Sequence, residues 1–121
     1  MSPQPTVTVP LYRLAHARAG DKGNRLSIAV FTYSAEHYPL LVEQITEEAV
    51  RAQFAHRQPS RVSRYPLPRL HGLNFVLDDV LEGGVNSSLT LDRHGKALSY
   101  LLLELPVVVP TQVADALAIH P

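Results

Sequence analysis

From Val9 onward apolar and polar positions alternate, and the alternation predicts a strand. Tyr12, Leu14, His16 and Arg18 share one face of it, and Leu11, Arg13, Ala15 and Ala17 share the other. Upstream, residues 1–8 read as a flexible tail containing two prolines. The strand runs into Ala19-Gly20-Asp21-Lys22-Gly23-Asn24, a dense turn signal. Leu26 to Tyr33 follows, apolar on both faces, as in a strand near the middle of a sheet. Ser34 to His56 carries a helical stripe of Tyr38, Leu41, Val42, Ile45, Ala49 and Ala52. Pro39 suits a first helical turn, and Thr46 before Glu47-Glu48 offers a second N-cap, so the segment reads as two helices with a bend. Arg57 to Arg61 is a polar loop.

Val62 to Leu67 is a strand for which Pro66 and Pro68 argue an edge position or an early end. Leu73 to Leu81 reads as a short helix with Asn74 as its N-cap, ending at Glu82-Gly83-Gly84. Ser87–Asp92 and Ala97–Leu105 read as two strands of a hairpin turning through Arg93-His94-Gly95-Lys96. A last turn of helix is expected at Thr111 to Ile119. The order is therefore β-β-α-β-α-β-β, one α+β domain over 9–110 with a C-terminal extension, 111–121. Right-handed crossovers put both helices on one face of a mixed or antiparallel sheet, a two-layer sandwich.

A length of 121 residues and a hydrophobic content of 45% fit a single domain with a real core. Eleven basic side chains balance eleven acidic ones, which removes the usual footprint of nucleic-acid or membrane-surface binding. The absence of cysteine excludes a disulfide scaffold, a thiolate metal site and a cysteine nucleophile. Met1 to Pro10 has no signal-peptide pattern, and the apolar run from Ala97 to Val109 is broken by Glu104 and Pro106. A reducing cytosol is the expected compartment. The six histidines, His16, His37, His56, His71, His94 and His120, are scattered without ligand spacing, so neither metal nor cofactor is expected.

Three segments could carry chemistry. In the first, Gly20 and Gly23 allow positive φ, and the successive amides of Gly20-Asp21-Lys22-Gly23-Asn24 could form an anion-binding nest with Lys22 as the charge. Arg18 and His16 point the same way on the feeding strand. A capped hairpin turn with exposed charges explains the same residues. The second, Gly83-Gly84-Val85-Asn86-Ser87-Ser88-Leu89, offers amides and hydroxyls at a helix-to-strand junction, equally well a C-cap and turn. Ser87 and Ser88 lack a nucleophile-elbow context. The third is Arg64-Tyr65-Pro66-Leu67-Pro68, where the charge of Arg64 in a strand calls for solvent or for an acid such as Asp79 or Glu82. Opening of the first two segments at the same end of the sandwich would bring Asp21, Lys22 and Asn24 beside Gly83–Ser88 in one polar cleft.

The stretches ARAGDKGN, SRYPLPRLHGLNFVLDDVLEGGVNSSL and DRHGKALSYLLLELP, in this order, resemble the ferredoxin-fold domain at the C-terminus of the acyclic terpene utilisation protein A family. The resemblance spans about residues 11–106. It implies a ferredoxin-like sandwich and an association with breakdown of acyclic terpenoids and related branched acyl-CoA compounds. It points to Gly20, Asp21, Lys22, Gly23 and Asn24, and less strongly to Arg64, Asn74, Gly83, Gly84 and Lys96. The family's long form carries a large N-terminal domain, so this chain is expected to be the C-terminal domain as a free polypeptide. The expected function is a non-catalytic accessory or oligomerisation module, assembling with itself or with a separate large domain of the family. The alternative is a small ligand-binding protein or enzyme taking an anionic substrate at the AGDKGN loop, with Asp21 and Lys22 as acid–base or binding groups. The apolar run at Tyr100 to Leu105 adds the expectation of a homo-oligomer.

Overall fold

The computed structural model describes residues 5–23, 25–80 and 98–119. Six strands are described: β1 Thr6–Pro10, β2 Ala15–Lys22, β3 Arg25–Thr32, β4 Arg61–Leu67, β5 Gly72–Asp78 and β6 Pro106–Pro110. The helices are α1 Tyr38–Gln44, α2 Glu47–Gln53, α3 over 98–103 and α4 Thr111–Ile119. β2, β3, β5 and β4 form, in that order, a four-stranded sheet in which every neighbouring pair is antiparallel. β1 and β6 make a separate two-stranded antiparallel ribbon.

The order of strands makes β3 and β4 parallel with β5 inserted between them. The chain thus crosses from β3 through α1 and α2 to β4, then returns by a tight connection into the gap. This is the split β-α-β unit of ferredoxin-like folds, and the α+β class with helices on one side of an antiparallel sheet holds. Alternation decides which side is covered. Leu26, Ile28 and Val30 of β3 and Leu73, Phe75 and Leu77 of β5 are fully buried, in one core with Leu41, Ile45, Val50, Phe54 and Leu102 of the helical layer.

Local chemistry fixes the helical layer. Thr46 accepts a hydrogen bond from the Ala49 amide at 3.0 Å, the N-cap expected between two helices. Gln44 uses both ends of its amide on the outer edge of β6: Nε2 donates to the Val108 carbonyl at 2.7 Å and Oε1 accepts from the Val108 amide at 2.8 Å. Gln53 Nε2 donates to the Leu101 carbonyl at 2.8 Å, tying α2 to α3.

Several elements differ from the sequence reading. Thr6, Val7 and Thr8, read as tail, belong to β1 and pair with Pro110, Val109 and Val108. The strand expected from Val9 is broken by a 3-10 turn at Leu11–Arg13 that buries Leu11 and Leu14, and β2 begins only at Ala15. Leu73–Leu81 is not a helix: Gly72–Asp78 is β5, a central strand. Leu73, Val76, Leu77 and Val80 satisfy helical spacing, but Leu73, Phe75 and Leu77 satisfy alternation equally well, and the slot between β3 and β4 decides in favour of the strand. Ala97–Leu105 is not a strand: 98–103 is helical, with Leu98, Leu102 and Leu105 buried at helical intervals. The expected strand Ser87–Asp92 lies outside the described residues. Among the described residues the order is β1-β2-β3-α1-α2-β4-β5, then α3-β6-α4, in place of the corresponding parts of β-β-α-β-α-β-β.

Candidate sheet-face site

Register pairs define the face of the four-stranded sheet opposite the helices. One row crosses it through Arg18, Ala29, Asn74 and Tyr65, the next through Gly20, Ser27, Val76 and Ser63. Toward the β2–β3 turn, Arg25 and Arg61 flank Asp78. Toward the other end lie His16, Phe31, Gly72 and Leu67. The floor is small or apolar, the rim basic. Among the described residues no helix covers this face: Ser27, Ala29, Phe31, Asn74 and Val76 are partly exposed, and Tyr65 is 51% exposed.

Two side-chain pairs stiffen it. Ser27 Oγ donates to Asn74 Oδ1 at 3.1 Å, joining the two central strands. Arg25 Nε donates to Asp78 Oδ1 at 2.7 Å. That hydrogen bond, together with the charge of Asp78, raises the Arg25 pKa above its ordinary value, so Arg25 stays cationic wherever the protein is folded. Phe31 lies over Gly72: a Cβ built at Gly72 would stand 2.6 Å from Phe31 Cδ1 and 2.7 Å from the Val30 carbonyl oxygen. The absence of a side chain at Gly72 is what lets the ring lie flat on the sheet.

The residues singled out from sequence do not all gather here. Gly20, Asp21 and Lys22 are the last three residues of β2, and Lys22 pairs in register with Arg25. The connection is a two-residue hairpin turn in which Gly23, not Gly20, holds a positive φ of 65°. A run of turn amides is thereby shortened, because Gly20 to Lys22 are extended in the ladder. Arg18 and Asn74 do lie on the sheet face. Asn74 is no N-cap: it is bonded to Ser27. Asn24, Gly83, Gly84, Ser87 and Lys96 lie outside the described residues, and with them the expected shared cleft.

Arg64 points the other way, to the helical side. Its Nη1 donates to the carbonyls of Val42 and Ile45, both at 2.9 Å, and its backbone amide donates to Glu47 Oε2 at 2.9 Å. Of the two acids considered for it, Asp79 accepts from Ser60 and Glu82 lies outside the described residues; the guanidinium meets the carbonyl end of α1. The cause is positional, since β4 passes the α1–α2 junction where carbonyls lack helical partners. Sequence reasoning missed Arg25 and Ser27, and gave no sheet-face role to Tyr65 or Asp78. The strand alternation that puts Ser27 with Ala29, and Asn74 with Val76, was their only signal.

Among the described residues no group of His, Asp and Glu is placed to hold a metal ion, and no helix is long and apolar enough to cross a membrane. The model of the AtuA ferredoxin-like domain family matches residues 9–108. No curated protein and no solved structure matches the chain.

Proposed function

The chain belongs to the AtuA ferredoxin-like domain family, and on that premise we propose that it is an accessory module in acyclic terpene utilisation that docks on a larger protein of the same family through the sheet face opposite its helices. The observation that carries this reading is the face itself: a partly exposed floor of Ala29, Phe31, Val76 and Tyr65 spread over three strands. Exposed apolar surface of this kind, rimmed by polar groups, marks a contact surface. Charge selects the occupant. Arg25 and Arg61 flank Asp78 and Arg18 adds a further cation on the β2 edge, so among the described residues basic groups outnumber acidic ones on this face and the complementary surface is apolar with an acidic rim. A second copy would bring an equally basic face, which favours a different partner over self-stacking.

Isothermal titration of this chain against the purified large domain of a long-form family member tests it. Saturable binding is expected, and Val76→Glu should weaken it at least about tenfold by burying an unpaired charge in the contact, with an unchanged melting temperature. Absence of binding, or equal affinity for Val76→Glu, overturns the reading. A dimer at roughly 100 μM that Val76→Glu disperses would replace the larger partner by a second copy.

A further inference from the structure

At the end of the sheet remote from the β2–β3 turn, the chain builds a cleft of about 550 Å³ lined by Tyr12, Arg13, Leu14, Tyr33, Ser34, His37 and Leu117. Its volume lies within the range of about 300–1,000 Å³ typical of small-molecule sites. Three separate segments supply the walls: the 3-10 turn before β2, the segment between β3 and α1, and α4. The first two are joined by backbone. The Tyr33 amide donates to the Leu14 carbonyl at 3.0 Å, and the His37 amide to the Ser34 carbonyl at 3.1 Å. The Tyr33 ring packs against His16, with centroids 5.3 Å apart, and His16 in turn against Phe31 at 5.6 Å. The cleft is therefore preformed, with its aromatic wall held from behind.

The lining divides by chemistry. Leu14 is fully buried and Leu117 partly so, which makes an apolar floor. Tyr12 and Tyr33 are 54% and 68% exposed, large aromatic surfaces facing water. Arg13 is partly buried yet enters no ion pair and no hydrogen bond among the described residues. A half-sequestered guanidinium with no anion among the described residues, sharing the lining with an imidazole and an apolar floor, is complementary to a molecule with an apolar body and one carboxylate. We propose that this cleft binds a compact amphipathic carboxylate, its chain over Leu14 and Leu117 between the tyrosines and its head on Arg13. The cleft adjoins the sheet face through Tyr33, His16 and Phe31, but none of its lining residues belongs to the floor of the proposed sheet-face contact.

Amide chemical-shift titrations of the whole chain with octanoate, octan-1-ol and inorganic phosphate test it. Octanoate should shift Tyr12 to Leu14, Tyr33, Ser34 and the amides around Leu117 in a saturable way. Octan-1-ol and phosphate should each bind at least about tenfold more weakly, since each lacks one of the two matched halves. Arg13→Gln should cost octanoate a similar factor while leaving octan-1-ol and the melting temperature unchanged; Tyr33→Ser should weaken octanoate and octan-1-ol alike. Non-saturable shifts, phosphate or octan-1-ol binding as tightly as octanoate, or an Arg13→Gln protein that binds octanoate normally, each overturns the proposal.

Discussion

Replacing Arg64 by methionine removes the clamp between β4 and the end of α1 while keeping most of the apolar stem of the side chain. The wild-type guanidinium satisfies two carbonyls, those of Val42 and Ile45, at 2.9 Å each. Hydrogen bonds from a charged donor are worth about 1.5–3 kcal/mol when buried. Here the Val42 contact is exposed and the Ile45 contact only partly buried, so water can take over much of what is lost. A cation at the carbonyl end of a helix adds about 0.3–1 kcal/mol. The expected total is about 1–2 kcal/mol. For a domain of 121 residues this is a fall in Tm of about 4–8 °C. Urea melts followed at 222 nm would measure it, with Arg64→Lys, which keeps the charge and its donors on a shorter side chain, expected to fall between. The backbone bond from Arg64 to Glu47 survives both changes, so α2 should stay anchored. A loss below about 0.3 kcal/mol would refute the clamp. An Arg64→Met protein of normal stability that lost a binding activity would show instead that Arg64 serves a ligand.

Gly72→Ala should destabilise by about 1–3 kcal/mol or more, because the new methyl meets a backbone carbonyl at 2.7 Å as well as the Phe31 ring, and backbone cannot step aside; denaturant melts with the Phe31→Ala/Gly72→Ala pair would show only partial rescue. Gly23→Ala should cost about 1–2 kcal/mol for a different reason: the added carbon touches nothing within 4 Å, and the whole penalty is the left-handed φ of 65°. Gly20→Ala, with the same open surroundings and no positive φ, is the control and should be far milder in the same melts.

The helical layer was legible because its signals were local. Thr46 before two glutamates is a cap wherever the chain goes, and it caps α2 as the sequence implied. Pro66 and Pro68 likewise kept β4 at an edge, since a proline amide cannot join a second ladder. Elements set by tertiary context were misread. Leu73 to Val80 fits a helix and a strand equally, and only the slot between β3 and β4 decides, a fact that no local window contains. The leucine-rich run before β6 has the same degeneracy with the opposite outcome, because consecutive leucines bury equally well at either period. The carbonyl partners of Arg64 were hidden for a related reason: local sequence displays candidate acids, but it does not show where a distant helix leaves its carbonyls.

The chemistry follows the same division. The charged turn Gly20–Gly23 was conspicuous in sequence, yet most of it is ladder, and its one conformational demand falls on Gly23. The surfaces that could recognise something were inconspicuous because each is assembled across strands. Ser27 meets Asn74 across 47 residues, and Arg25 meets Asp78 across 53. At the far end, Leu14 and Tyr33 come together only because a 3-10 turn interrupts what reads as one long strand. That interruption is the structural cause of the cleft. A continuous strand from Val9 would carry Tyr12 and Arg13 along the sheet edge on opposite faces; the turn instead folds them over the end of β3. A sequence restoring strict alternation through Leu11–Leu14 would be expected to straighten the strand and remove the cleft while leaving the sheet face intact.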